Sequence, residues 1–414
     1  MAMAIALGKG NLHLSAPRQL RLLVAAFGDA GHAFPAIALA RALAARGHDV
    51  AVETWGRWRE AVEELGLRFY GAEEYTVFPP PARDGSDGPT AAQAARALIP
   101  MLEEMRPDLV VSDILTVAPA LAAEATGHRW ATLIPHVYPE HEPGGPFFGF
   151  GVLPPRTGIG RAAWRLWRPV LEAGLRRGRE ELNEARAQVG LPPLDRFHGG
   201  MSGELALVAT FPQLEYPRRW PAHVRVTGPM LFELPYSDIE LPGGDGPLVL
   251  VAPSTAQDPG ARLVRVALEA LAGEPVRVVA TTNRQVAAEE VEAPANATVV
   301  DWLSYSQVMP RADLVVSHGG HGTSARALAA GVPVLACPDL GDMAENGARI
   351  ASAGAGLMVP RRILGPRTLR VAARRILGDP RFRERATRIA AWGRENDGAK
   401  RGAEIVERYA RSSS

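Results

Sequence analysis

Short, mostly apolar runs recur along this chain. Each leads into a turn and then into residues whose apolar positions fall three and four apart. The runs are 20–27, 50–54, 109–112, 130–134, 248–252, 276–280, 298–300, 312–316 and 332–337. Their apolar side chains are consecutive rather than alternating, as in strands buried on both faces of a parallel sheet. Residues 35–45, 117–125, 260–271 and 325–330 read as the helices between them, with Gly47 and Gly331 as stops. Strand, turn, helix and strand make βαβ units, in two series. Between the series, residues 228–247 hold Leu234-Pro235, Leu241-Pro242 and Gly243-Gly244-Asp245-Gly246-Pro247, the composition of a linker. The expected fold class is therefore α/β, with two doubly wound, Rossmann-like domains (1–227 and 248–414) facing across a cleft. Residues 380–411 read as closing helices that could pack back on the first domain.

Two irregular segments interrupt the first series. Residues 71–90 and 139–160 are rich in Pro and Gly, and both follow strands, where an open α/β sheet places its ligand crevice. In the second of these, Phe147, Phe148 and Phe150 are candidates for an apolar pocket, with packing of the loop on its own domain as the alternative. Beyond it, Trp164, Trp167, Leu171 and Leu175 form a helical stripe among six arginines. Glu172, Glu180 and Glu181 dilute that charge, so a solvated helix face is expected rather than a membrane-surface helix.

Composition narrows the class. A chain of 414 residues fits two domains of about 200 each. With 47% hydrophobic and 22% charged residues it is globular, and a net charge of +1 gives no reason to expect nucleic acid as a partner. The single cysteine, Cys337, lies within an apolar run, which suits a reducing compartment and makes it a poor nucleophile. Residues 1–17 lack the pattern of a signal peptide, and no apolar run of membrane-spanning length occurs, so a cytoplasmic protein without membrane insertion is expected.

The most distinctive stretch is Ser317-His318-Gly319-Gly320-His321-Gly322-Thr323-Ser324. It lies where a strand turns into a helix, so the backbone N–H groups of Gly322, Thr323 and Ser324 are expected to lack intrahelical partners and to face a phosphate. On the first domain, His32 lies just past the first strand and Asp113 ends the strand 109–112, both on the crevice side. A histidine suits a general base near neutral pH. Ser254-Thr255 occupies a matching turn after 248–252 and is either a second phosphate contact or an ordinary turn. His136 and His141 with Glu140 and Glu142 are too loosely spaced for a metal site, and no Asp-x-Asp occurs, so no metal or other cofactor is expected.

The run from Asp301-Trp302-Leu303 through His318 to Thr323, Gly331-Val332-Pro333 and Pro338 to Asp342 resembles the nucleotide-sugar signature of family 1 glycosyltransferases. These have the GT-B fold, and the likeness is greatest to actinobacterial enzymes that decorate natural products. Gly31-His32-Ala33-Phe34-Pro35 and Thr227-Gly228-Pro229 match further family motifs, so the likeness spans nearly the whole chain. The resemblance implies an inverting transfer of sugar from a UDP- or dTDP-sugar to a hydroxyl of a small natural-product acceptor, and Phe147, Phe148 and Phe150 point to an apolar one. His32 would be the base and Asp113 would orient it. The diphosphate would be held by Ser254, Thr255, His318 and the backbone of Gly320, His321, Gly322 and Thr323. Trp302, beside Leu303, would stack on the nucleobase, and Asp342 with Met343 would face the sugar. Three positions depart from the pattern: Arg326 replaces a ribose-binding Glu, Met343 a Gln, and Ser304 a Pro. Arginine cannot accept hydrogen bonds from ribose hydroxyls, and Met343 would suit a deoxysugar. The alternatives are a catalytically silent nucleotide-sugar-binding partner protein and a sugar-nucleotide 2-epimerase of the same fold. A homodimer is left open.

Overall fold

The computed structural model describes residues 18–72, 90–140, 142, 144–195, 200–234, 239–255 and 258–412. Most of the first irregular segment, and His141, lie outside the described residues. The first domain runs β1 (Arg21–Ala25), α1 (Ala30–Ala44), β2 (Asp49–Thr54), α2 (Arg59–Glu63), β3 (Arg68–Gly71), α3 (Ala91–Met105), β4 (Leu109–Asp113), α4 (Val117–Ala125), β5 (Trp130–Ile134), α5 (Gly158–Gln188), β6 (Ala206–Val208) and β7 (Val224–Val226). Its sheet has the order β3-β2-β1-β4-β5-β6-β7, with every pair parallel.

The second domain runs β8 (Leu248–Ala252), α6 (Arg262–Leu271), β9 (Arg277–Thr281), β10 (Ala297–Val300), α7 (Tyr305–Val308), β11 (Leu314–Ser317), α8 (His321–Ala329), β12 (Val334–Ala336), α9 (Asp342–Ala353), β13 (Gly356–Met358), α10 (Pro366–Leu377), α11 (Pro380–Glu395) and α12 (Gly398–Arg411). Its sheet, also parallel throughout, is ordered β10-β9-β8-β11-β12-β13. The two sheets are those of a pair of Rossmann-like domains. In each, strand order reverses beside the first strand, between β1 and β4 and between β8 and β11, and such a reversal opens a crevice at the strands' carboxyl ends.

Burial explains the strands. All five side chains of β4 and of β8 are buried between two helix layers; β8 is an unbroken apolar run, whereas β4 ends in Ser112 and Asp113. Leu22 and Val24 of β1 share a core with Ile37, Leu39 and Leu43 of α1, and with Ala399, Ala403 and Val406 of α12. The closing helix thus packs on the first domain. Helix α8 begins at His321, ahead of the expected 325, with Gly320 as its N-cap and Gly322 in its first turn.

Helix α9 is the element that hydropathy does not reveal. It buries Glu345, Asn346 and Arg349 along with Ala344, Ala348 and Ile350. The Arg349 guanidinium donates to Glu345 (2.8 Å), to the Tyr138 carbonyl (3.3 Å) and to Glu215 of the first domain. Arg349 thereby ties the second domain to the first through a buried charge. Replacing it would strand two carboxylates out of water. Arg349→Ala should lower stability by about 3–5 kcal/mol, whereas Arg177→Ala, removing an exposed pair on α5, should change it by no more than about 0.5 kcal/mol. Thermal and denaturant unfolding of the two variants would measure the difference.

Candidate active site

Residues from both strand-order reversals meet in one cavity of about 480 Å³. On the first-domain side the chain leaves β1, turns at Asp29 and places His32 in the first turn of α1. His32 Nδ1 lies 2.8 and 3.0 Å from the two carboxylate oxygens of Asp113, the last residue of β4. A carboxylate only accepts, so Nδ1 carries the hydrogen and Nε2 is left as the acceptor. Asp113 also accepts the Leu115 N–H (2.9 Å), and the N-cap of α4 is Thr116, so capping that helix is not the task of Asp113. Burial, the largest influence on His32, works to lower its pKa. The charge and hydrogen bond of Asp113, with smaller help from Asp342 and Asp29, outweigh it and hold the pKa above the ordinary histidine value.

A second histidine stands beside it. The His136 ring centroid is 6.1 Å from that of His32 and 5.8 Å from Phe148. Its Nδ1 donates to the Val137 carbonyl at 2.8 Å. Burial and then the neighbouring His32 charge hold its pKa below the ordinary histidine value, the opposite direction to His32.

The opposite wall is the β11–α8 turn. Gly319 takes φ +88°, and a Cβ there would lie 2.8 Å from the Met343 carbonyl, so a side chain fits neither the backbone nor the space. The Ser317 hydroxyl accepts the Gly319 N–H (3.1 Å) and the Asn346 amide donates to the Gly319 carbonyl (3.1 Å). At Gly320 a Cβ would stand 2.2 Å from His318 Nε2, so the ring is seated over bare backbone. Ser324 already donates its N–H to the Gly320 carbonyl at 3.1 Å. It is therefore engaged, contrary to expectation, and the donors open to a ligand are those of residues 321–323. Burial holds both His318 and His321 near pKa 4, with His136 a second cause for His321. They bring hydrogen bonds to this wall but no charge. His321 Nε2 also lies 3.2 Å from the Ala209 carbonyl of the first domain.

Comparison with known proteins gives this geometry a family. Residues 265–410 match the family described as erythromycin biosynthesis protein CIII-like, C-terminal domain, and residues 36–180 match the glycosyl transferase 4-like domain. The chain is 30% identical over 387 residues to 4'-demethylrebeccamycin synthase of Lentzea aerocolonigenes, covering 86% of this chain and 91% of that one. The chain belongs to the family 1 glycosyltransferases. It is also 28% identical to O-mycaminosyltylonolide 6-deoxyallosyltransferase of Streptomyces fradiae, over 94% of this chain and 98% of the other. In fold it is similar to the glycosyltransferase of kitacinnamycin (TM-score 0.75, 23% identity, 95% and 99% coverage). Another similar structure is the glycosyltransferase VinC in complex with dTDP (TM-score 0.68, 21% identity, 94% and 99% coverage). Both are GT-B structures, and GT-B is the fold of this glycosyltransferase.

Within the glycosyltransferase cavity, Ser254, Thr255, Trp302, Leu303, His318, Gly320, His321, Gly322, Thr323, Asp342 and Met343 all line one wall or the other, with His32 facing them. Asp113 is buried directly behind His32. Of the three phenylalanines only Phe148 lines the cavity. Phe147 is drawn away onto Trp164, with ring centroids 5.2 Å apart, and Phe150 points outward, because the loop folds over the start of α5. Of the three candidates for an apolar pocket, Phe148 alone borders the cavity; Phe147 takes the alternative of packing on its own domain, and Phe150 stays largely exposed.

The departures from the family pattern have local partners. Arg326, one turn into α8, donates to the Gly322 carbonyl (3.3 Å) and to the Phe232 carbonyl. Ser304 is the N-cap of α7 and accepts the Gln307 N–H. Glu233 in the linker accepts from the N–H groups of Tyr305 (2.6 Å) and Ser306 (3.0 Å) and borders the cavity, as do His136, Asn283 and Tyr305. Sequence reading passed over Glu233 because a lone acid in a linker carries no periodicity or motif. Among the described residues no group of three or more His, Cys, Asp or Glu side chains could hold a metal ion.

Two measurements check this geometry. In proton NMR titrations, His32 should titrate above the ordinary histidine range, while His318 and His321 should stay neutral down to about pH 4. Gly319→Ala should cost about 1–3 kcal/mol of stability from backbone conformation alone, read as a lower unfolding midpoint.

Proposed function

We propose that this glycosyltransferase moves a sugar, with inversion, from a dTDP- or UDP-sugar to a hydroxyl of a small apolar acceptor. The observation that carries the reading is that His32, held by Asp113, shares one cavity with the first turn of α8. His32 Nε2 takes the acceptor proton as the acceptor oxygen forms its bond to the anomeric carbon. The bond from that carbon to the diphosphate breaks on the far side, and the diphosphate leaves with the electron pair. Asp113 keeps the imidazole in the tautomer that accepts at Nε2 and stabilises the imidazolium that forms.

The leaving charge would be met by the N–H groups of residues 321–323 and the dipole of α8, with the hydroxyls of Ser254, Thr255 and Thr323. Neutral His318 adds a hydrogen bond, and Arg326 brings the positive charge nearest that helix end. Trp302 would stack on the base. Its ring already carries the Arg284 guanidinium at 5.4 Å. Asp342 would accept from the sugar hydroxyls, and Met343 beside it favours a deoxysugar, which has fewer hydroxyls to satisfy. The 6-deoxyallosyltransferase name of one relative and the dTDP in VinC support a dTDP-deoxysugar over UDP-glucose. On this reading the helix end takes the part that a metal ion plays in other transferases, and no cofactor is needed. Phe148 and His136 would form the acceptor wall.

His32→Ala should reduce transfer by about 10²–10⁴-fold while leaving dTDP affinity near wild type, as measured by turnover and calorimetry. Undiminished turnover would remove His32 from the role of base. Asp113→Asn should have a second signature. Asp113 raises the His32 pKa, so its loss should move the acid limb of the kcat/KM profile to lower pH even as the rate at the plateau falls.

A further inference from the structure

The outer face of α5 is apolar where a solvated helix should be polar. Ile159, Leu166, Trp167 and Val170 are 85%, 81%, 59% and 60% exposed. At 3.6 residues per turn they fall within an arc of about 100°. The apolar residues expected to line the stripe, Trp164, Leu171 and Leu175, are turned toward the domain instead, and only Trp167 of that set faces out. Phe150, Val152 and Leu153 extend the outer patch from the preceding loop. Most of the large apolar side chains exposed anywhere among the described residues are gathered between 150 and 170. A patch so concentrated marks a contact surface.

The charge beside it selects the contact. Residues 150–171 contain Arg156, Arg161, Arg165 and Arg168 and no Asp or Glu. Two copies of this face apposed about a twofold axis would bring arginine to arginine, and the nearest acid on the helix, Glu172, is already paired with Arg168 at 2.5 Å. A partner of opposite charge and apolar interior fits both features, and a lipid surface with anionic headgroups supplies them together. Leu, Ile, Val and Trp enter the acyl boundary while long arginine side chains reach the headgroups. The patch is also continuous with the cleft. Phe148 faces His136 in the cavity, its neighbour Phe147 packs on Trp164 of α5, and Phe150 opens onto the patch.

We infer that the outer face of α5, with the loop before it, is a docking surface for an anionic lipid bilayer and seats the acceptor side of the cleft against that bilayer. No helix of the described residues is long and apolar enough to cross a membrane, so the contact is peripheral. This goes beyond the transfer reaction, and binding is read without turnover, so either reading can fail alone.

Flotation of the full chain with phosphatidylcholine vesicles, with and without phosphatidylglycerol, tests it. Wild type should float with the anionic vesicles, stay behind with neutral ones, and be released by salt. Leu166→Glu/Trp167→Glu/Val170→Glu should bind at least about tenfold more weakly while keeping the wild-type unfolding midpoint. Arg161→Gln/Arg165→Gln, which leaves the apolar face intact, should bind more weakly and lose much of the salt dependence. Failure of wild type to bind anionic vesicles, or equal binding by both variants, would overturn the inference. A concentration-dependent dimer in sedimentation that the triple variant abolishes would also overturn it, because a second copy would then cover this face.

Discussion

Parallel strands pair only if the chain returns through a crossover, and that constraint shapes everything functional in this molecule. Every strand of both sheets runs the same way as its neighbours, so every strand delivers the chain to one edge of its sheet. At that edge the helices start, and their unpaired N–H groups and positive dipole ends collect there. Where strand order reverses, successive helices leave toward opposite faces and a gap opens between them. His32 and Asp113 flank the gap between β1 and β4, while Ser254 and His318 flank the one between β8 and β11. The first domain presents a buried histidine–carboxylate pair and the second a glycine turn at a helix start because the same topology is used twice with different turn residues.

The turns differ in how they treat charge. On the first domain a buried carboxylate faces a histidine and holds its pKa up, so a proton taken there is kept. On the second, His318 and His321 lie under apolar cover and remain neutral, and the wall relies on backbone donors. On the proposed reading, a base that can take up charge and a fixed dipole that receives a leaving anion are complementary demands. They are met by separate domains, whose relative position depends on contacts such as the Arg349 cluster and the return of α12 onto α1.

The parts of the structure legible in the sequence were those built from simple periodicity or from a glycine turn. The runs in β4, β5 and β8 and the helix α4 follow directly from their mostly apolar side chains, and the fold class followed from their repetition. The anion turn was visible because Gly319 and Gly320 are required by backbone angle and by the seat of the His318 ring. The three-residue strands β6, β7 and β13 are too short for a pattern. Helix α9 buries a Glu, an Asn and an Arg whose partners, Glu215 and Gly319, are remote in sequence. Glu233 and His136 reach the cavity only through the path of the chain, and the outward turn of Phe150 follows from how its loop folds over α5. In each case a contact distant in sequence decided the outcome, and local composition contained no sign of it.

On the proposed mechanism, one base and one anion site act from opposite sides of the anomeric carbon in a single displacement. The configuration of the transferred sugar tests it most directly. Product formed from a donor of known α configuration should show the β anomeric coupling in its proton NMR spectrum. A product that retains the α configuration would require two displacements or attack from the leaving-group face, and would contradict the placement of His32 and the α8 turn on opposite sides of the reaction.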